Sequence, residues 1–164
     1  LDAVGEFLQI VEYADDLGTQ SAPLISPKTY RALIKPCHIR ITQSIRAKAP
    51  HAKIMLHSCG SVRKFIPDFI EAGFDMLNPI QTAAGGMDPA ELKVEFGDDL
   101  VFLGGVDVQQ KMRGSVETVQ EEVRSLIQAM GEGGGYILAP SHNFGDDVPV
   151  ENILAFFDVD RTVA

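Results

Sequence analysis

The hydrophobic positions of this chain fall into short continuous runs separated by longer stretches of helical spacing. The first run, Phe7-Leu8-Gln9-Ile10-Val11, continues through Glu12, Tyr13 and Ala14 into Asp15-Asp16-Leu17-Gly18. Its β-branched centre and closing glycine predict a strand over 7–13. A short helix over the same residues is the rival assignment, because so brief a run does not settle the period. Four more apolar runs predict strands near 54–58, 75–79, 101–105 and 136–140.

The intervening stretches carry helix signals. Ser26 before Pro27 reads as an N-cap with proline at the first helical position, and Tyr30, Leu33, Ile34, Cys37, Ile41 and Ile45 recur at helical spacing. That stripe places Cys37 on the core face, as a structural residue, with a kink at Pro36. His38 and His51 then fall on a polar helix position and in a loop, as solvated residues. Ser61 is the expected cap of a helix lined by Val62, Phe65, Ile66, Phe69 and Ile70 and closed by Gly73. Asp88-Pro89-Ala90-Glu91 resembles a capping box opening a helix that ends at Gly97. Ser115 caps a longer one with Val119, Val123, Leu126, Ile127 and Met130 on one face, stopped by Gly131. A last helix follows Pro149 through Ile153, Leu154 and Phe157.

Strands nearly continuous in apolar residues and alternating with helices predict an α/β fold with a parallel sheet covered by helices. A doubly wound sheet often carries a glycine-rich phosphate loop, and no G-x-G-x-x-G occurs. A (β/α)8 barrel of the TIM type needs about 250 residues. The 164 residues therefore read as one domain, 1–164, made of the C-terminal five β/α units of such a barrel, with the N-terminal strands missing. Leu1 in place of Met fits that expectation. Unpaired edges of an open barrel would favour self-association.

Composition narrows the partners. A net charge of -9 without a basic cluster argues against nucleic acid and anionic membranes. No apolar run approaches the roughly 18 residues of a membrane span, and no signal-peptide pattern opens the chain. Two cysteines, Cys37 and Cys59, suit a reducing cytoplasm better than a disulfide framework.

The chemistry concentrates at the predicted strand ends. In Lys53-Ile54-Met55-Leu56-His57-Ser58-Cys59-Gly60, residues two apart in an extended segment share a face, so His57 and Cys59 aim into one volume. An imidazole and a thiolate there are two of the three protein ligands a catalytic zinc usually takes; a buried His beside a small apolar Cys is the metal-free alternative. In a barrel, chemistry sits at the C-terminal ends of the strands. Those ends deliver Asp15 and Asp16, His57 and Cys59, Gln81, Asp107 and His142 to one rim, although strand ends that meet water are often polar in any case.

The runs YADDLGTQ (13–20), ISPKTYRALIKP (25–36), HSCGSVRKFIPDFIEAGFDMLNPIQ (57–81), FLGGVDVQ (102–109) and GGYILAPSHN (134–143) are similar to the C-terminal part of the uroporphyrinogen decarboxylase superfamily. The resemblance implies a barrel hosting one of two chemistries: cofactor-free decarboxylation of a porphyrinogen, or zinc-dependent methyl transfer between a corrinoid protein and a thiol or similar small-molecule acceptor. The methyltransferases use a His-x-Cys pair and a later Cys as zinc ligands. His57 and Cys59 match the pair, whereas Ser141-His142 stands where the later Cys falls, so the resemblance implies a His57, Cys59, His142 metal set with a His departing from the pattern. The decarboxylases also have a His near that place, and their catalytic Asp and arginines belong to the N-terminal part.

Methyl transfer needs a metal that holds the acceptor thiol as thiolate. Asp15, Asp16 or Asp107 would support the ligands from behind. On this reading His142 and Asp107 are the candidate catalytic residues, and Asp15, Asp16 and Gln81 the candidate substrate-binding ones. Decarboxylation of a substrate bearing many carboxylates needs a cationic pocket, and only Arg63, Lys64 and Arg113 lie near these ends in sequence. The balance favours zinc-dependent methyl transfer, with decarboxylation and an inactive barrel fragment as alternatives.

Overall fold

Five strands form one sheet in the order β1 (Ile10–Ala14), β2 (Lys53–His57), β3 (Met76–Ile80), β4 (Val101–Val106) and β5 (Tyr136–Pro140). Every neighbouring pair is parallel. The computed structural model describes residues 1–159, so the last five residues of the expected 1–164 domain lie outside the described residues. A doubly wound sheet reverses its strand order at a switch point. Here the order never reverses, which is the arrangement of five consecutive β/α units of a (β/α)8 barrel. The predicted strands therefore stand, with β1 starting three residues later than expected because Gly5–Phe7 forms a short 3-10 turn.

The central strands carry the burial. β2 and β3 contribute Ile54, Leu56, Leu77 and Ile80, all essentially inaccessible, to a core completed by Tyr30, Phe65, Phe69 and Phe102. Each such side chain stabilises the fold by roughly 1.5–3 kcal/mol relative to exposure. A second cluster of Val106, Val119, Val123, Leu126 and Phe156 packs α5 (Val116–Met130) and α6 (Val150–Asp158) beneath the β4–β5 end. β1 and β5 each pair on one side only, and Ile10 and Ile137 on them are 45% and 42% exposed. Among the described residues no helix is long and apolar enough to cross a membrane.

The first helical segment corrects the sequence reading. Ser26 caps α1 (Pro27–Thr29) by accepting from the Thr29 N–H, as expected. A π-turn, Tyr30–Ile34, then precedes α2 (Lys35–Lys48), and Pro36 sits in the first turn of α2 instead of kinking a continuous helix. Proline has no N–H to donate, and its ring collides with the carbonyl four residues back, so a wider turn ahead of it relieves both constraints. The π-turn also shifts the helical phase. The inward face becomes Tyr30, Ile34, His38, Thr42 and Ile45, so His38 is fully buried and Cys37 is exposed, the reverse of the expected pair. His51 is exposed, as expected.

Ser61 does not cap a helix. Its Oγ donates to the Gly85 carbonyl at 2.6 Å, and a 3-10 turn, Arg63–Phe65, leads into α3 (Ile66–Glu71). The remaining signals act as read: Asp88 accepts from the Glu91 N–H to open α4 (Pro89–Phe96), and Ser115 accepts from the Thr118 N–H to open α5.

Candidate metal centre

The loop that leaves β2 is held on both sides by hydrogen bonds to its neighbours. The Ser58 N–H donates to the Asn78 carbonyl and the Ser61 N–H to the Thr19 carbonyl, while the His57 carbonyl accepts from the Asp15 N–H. Buried Ser58 Oγ accepts from the Leu17 N–H at 3.1 Å, and Gln81 Oε1 accepts from the Gly60 N–H at 2.8 Å. The β1 and β2 loops touch backbone to backbone. A Cβ at Gly60, where φ is +84°, would lie 2.6 Å from the Gly18 carbonyl carbon, and a Cβ at Gly18 would lie 2.6 Å from the Cys59 oxygen. Only glycine at both positions permits that approach. It brings Asp16 against the start of the β2 loop, where its Oδ1 accepts from the Cys59 N–H at 2.8 Å.

Three atoms able to serve as metal ligands meet as a result. Cys59 Sγ lies 3.4 Å from His57 Nε2, and Asp16 Oδ1 lies 3.9 Å from the same nitrogen. The ligand atoms of Asp16, His57 and Cys59 all fall within 4.8 Å of one another. Nitrogen, oxygen and sulfur donors around one tetrahedral zinc stand about 3.3–3.8 Å apart; the donor types suit that ion, and the two distances to His57 Nε2 lie in or near that range. The His57 ring is already oriented for the task. Its Nδ1 lies 2.7 Å from Asn78 Oδ1, an atom that can only accept, so Nδ1 carries the proton and the Nε2 lone pair faces Cys59 and Asp16. Burial and then the Asp16 carboxylate push the Cys59 thiol up to about 11. A divalent cation held here would offset both causes and favour the thiolate.

Asn78 and Glu12 are the site residues that sequence reasoning missed. Asn78 is the register partner of His57 across β2 and β3, and a polar residue inside the apolar run of β3 was the available signal. Glu12 Oε1 approaches His57 Nδ1 at 3.8 Å and lines, with His57, Asn78, Ser141 and His142, a cavity of about 460 Å3.

The other predicted residues are spread around the same rim. His142 is exposed; it shares this cavity with His57, but among the described residues Asp16, not His142, completes the tight group. Asp15 faces His38, whose Nε2 lies 3.1 Å from its Oδ2. Gln81 supports the Cys59-Gly60 backbone and also lines an adjoining cavity of about 240 Å3 with Gln109, Arg113 and His142. Asp107 is buried, its Oδ1 accepting from the Gln109 N–H at 2.7 Å, which shapes the turn after β4. Of the three nearby cations, two are engaged elsewhere and Lys64 is exposed: Arg63 pairs with Glu91 and Glu95, and Arg113 with Asp147 at 2.8 Å.

Comparison with known proteins places this rim in context. The chain is 26% identical over 147 residues to the methylcobamide:CoM methyltransferase MtaA of Methanosarcina barkeri, covering 89% of this chain and 39% of that protein. It is 32% identical over 69 residues to the uroporphyrinogen decarboxylase of Mannheimia succiniciproducens, covering 42% of this chain and 19% of that one. The chain thus spans about two fifths or less of the length of these relatives. Its fold matches a methyltransferase from Methanosarcina mazei with a TM-score of 0.71 at 23% identity, covering 91% of this chain and 40% of that one. Residues 3–163 match the family model for uroporphyrinogen decarboxylase (URO-D), and the chain belongs to that family.

Proposed function

We propose that this chain carries the metal-binding rim of an enzyme that moves a methyl group between a corrinoid protein and a thiol or similar acceptor. Zinc would be held by His57, Cys59 and Asp16, with His142 facing the same cavity. The observation that carries the reading is the pre-set group itself: Nε2 of His57 stands 3.4 Å from Cys59 Sγ while Nδ1 is fixed by Asn78. A bound zinc supplies the charge that keeps an acceptor thiol as thiolate at neutral pH. Around it, Asn78 fixes the imidazole tautomer, and Asp16 both offers an oxygen and anchors the Cys59 backbone. The likeness to the MtaA methyltransferase over most of the chain supports the same reading and a corrinoid partner.

The charge around the mouth favours methyl transfer over the other chemistry of the family. Glu12, Asp15 and Asp16 line or flank the His57 end, and Arg113 is paired with Asp147. Such a rim repels a substrate bearing many carboxylates. Cofactor-free decarboxylation is the second reading, favoured by the 32% identity to a decarboxylase over a shorter stretch. Elemental analysis of the full chain separates the two. Methyl transfer predicts about one zinc per chain, lost in Cys59→Ala and in His57→Ala with the fold retained. A wild-type chain that takes up no zinc from a zinc-supplemented medium, or a Cys59→Ala chain that keeps it, favours decarboxylation.

A further inference from the structure

We propose that His38 and Tyr30, buried beneath the rim, are positioning residues that hold the Asp15-Asp16 segment in place against His57 and Cys59. The inference rests on the metal reading of those residues. His38 is 0% exposed, and the rings of Tyr13, Tyr30 and Phe74 surround it edge-on at centroid distances of 5.5, 5.6 and 5.3 Å. Its Nε2 lies 3.1 Å from Asp15 Oδ2 and its Nδ1 lies 2.9 Å from the Tyr30 hydroxyl, itself 0% exposed. A carboxylate can only accept, so Nε2 carries the proton and Nδ1 accepts from the Tyr30 O–H. The two bonds thus run in one direction, from the helical layer to the end of β1.

A core that needed only volume at position 38 would be filled at least as stably by Leu or Phe, because a buried polar ring contributes nothing unless both nitrogens find partners. Here both do, and the outer partner stands at the metal centre. Asp15 is pinned twice: its side chain by His38 and its N–H by the His57 carbonyl at 2.9 Å. Asp16 follows directly, and its Oδ1 meets the Cys59 N–H at 2.8 Å and faces His57 Nε2 at 3.9 Å. Releasing the Asp15 side chain removes one of the two anchors of the residue directly before Asp16, which completes the ligand group. The π-turn over Tyr30–Ile34 has a consequence here, since the phase it sets brings Tyr30 and His38 to the same buried face.

The test is a Co(II) titration of the full chain, followed by the visible d–d bands and the thiolate charge-transfer absorption. His38→Phe should weaken Co(II) binding by about 10-fold, the low end of the effect of losing a group bonded directly to a ligand, because His38 acts one residue further back. His38→Gln, whose amide N–H can still reach Asp15, should recover most of that loss, and Tyr30→Phe should show a smaller loss in the same direction. Ile127→Ala, in the second core away from the relay, controls for general destabilisation and should bind as wild type. Wild-type affinity in folded His38→Phe overturns the proposal, as does an equal loss in Ile127→Ala. Should His38→Phe fail to fold, unchanged binding in Tyr30→Phe overturns it instead. A wild-type chain that gives no Co(II) spectrum refutes the metal reading and this inference with it, whereas a wild-type spectrum with an unaffected His38→Phe refutes this inference alone.

Discussion

The β1–β2 end of the sheet and the β4–β5 end occupy equivalent places in the fold, yet they are built differently. At the first, the strand-end loops lie backbone against backbone, and hydrogen bonds from Leu17, Cys59, Gly60 and Ser61 fix the residues that follow His57. At the second, His142 and its neighbours Asn143, Gly145, Asp146 and Asp147 are exposed, and Asp107 spends its carboxylate on its own turn. Both ends offer imidazole and carboxylate, but among the described residues only the first holds them at ligand spacing. Preorganisation, not the presence of suitable residue types, is what separates a candidate site from a polar rim.

The sharpest way to break this comparison is a single methyl group on each side. Gly60→Ala forces an L-residue into φ +84° and drives its Cβ to within 2.6 Å of fixed backbone, for an expected loss of about 2–5 kcal/mol in denaturant unfolding. Gly145→Ala meets only the carboxylate of exposed Asp147 at 2.6 Å, which can turn aside, and should cost about 0.5 kcal/mol or less. Equal losses at the two glycines would remove the claim that the ends differ in rigidity.

Ion pairs sharpen it at a smaller scale. Asp68 on α3, 4% exposed, receives Arg31 and Lys35 from the π-turn and the start of α2, whereas the Arg113–Asp147 pair is about half exposed on both partners. Burial acts to raise the Asp68 carboxyl, but hydrogen bonds from Arg31 and Lys35 outweigh it and hold the group below its ordinary range. Asp68→Asn should therefore cost about 1–3 kcal/mol near neutral pH, and Asp147→Asn about 0–1 kcal/mol. The sign with pH follows from the depressed value. The Asp68 contribution is complete above the unfolded carboxyl value of 3.8 and disappears as pH falls through the lower folded value, so the two chains should converge in stability in acid. A difference that grows on acidification would contradict the pairing.

Much of this was legible in the sequence, for definite reasons. Parallel strands buried on both faces read as continuous apolar runs, and Ile54–Leu56 and Leu100–Val106 do so without ambiguity. His57 and Cys59 share a strand-end face whatever surrounds them. The helix ahead of them misled because Pro36 imposes a π-turn, and the extra residue rotates the stripe so that His38 takes the place expected for Cys37. Glu12 and the ligand position of Asp16 were invisible for another reason, and Asn78 showed only as a polar residue in an apolar run. Each acts through a contact between neighbouring strands or loops, and such contacts depend on register, which one sequence does not display.

On the proposed reading, the end of β2 and the loop after β1 together hold zinc through Asp16, His57 and Cys59. Zinc K-edge X-ray absorption of the zinc-loaded full chain tests it most directly. The account predicts a shell of nitrogen and oxygen at about 2.0–2.1 Å with a single sulfur at about 2.3 Å, the sulfur vanishing in Cys59→Ala and persisting in His142→Ala. A spectrum with no sulfur scatterer in the wild-type chain, or one whose sulfur survives Cys59→Ala, would contradict it.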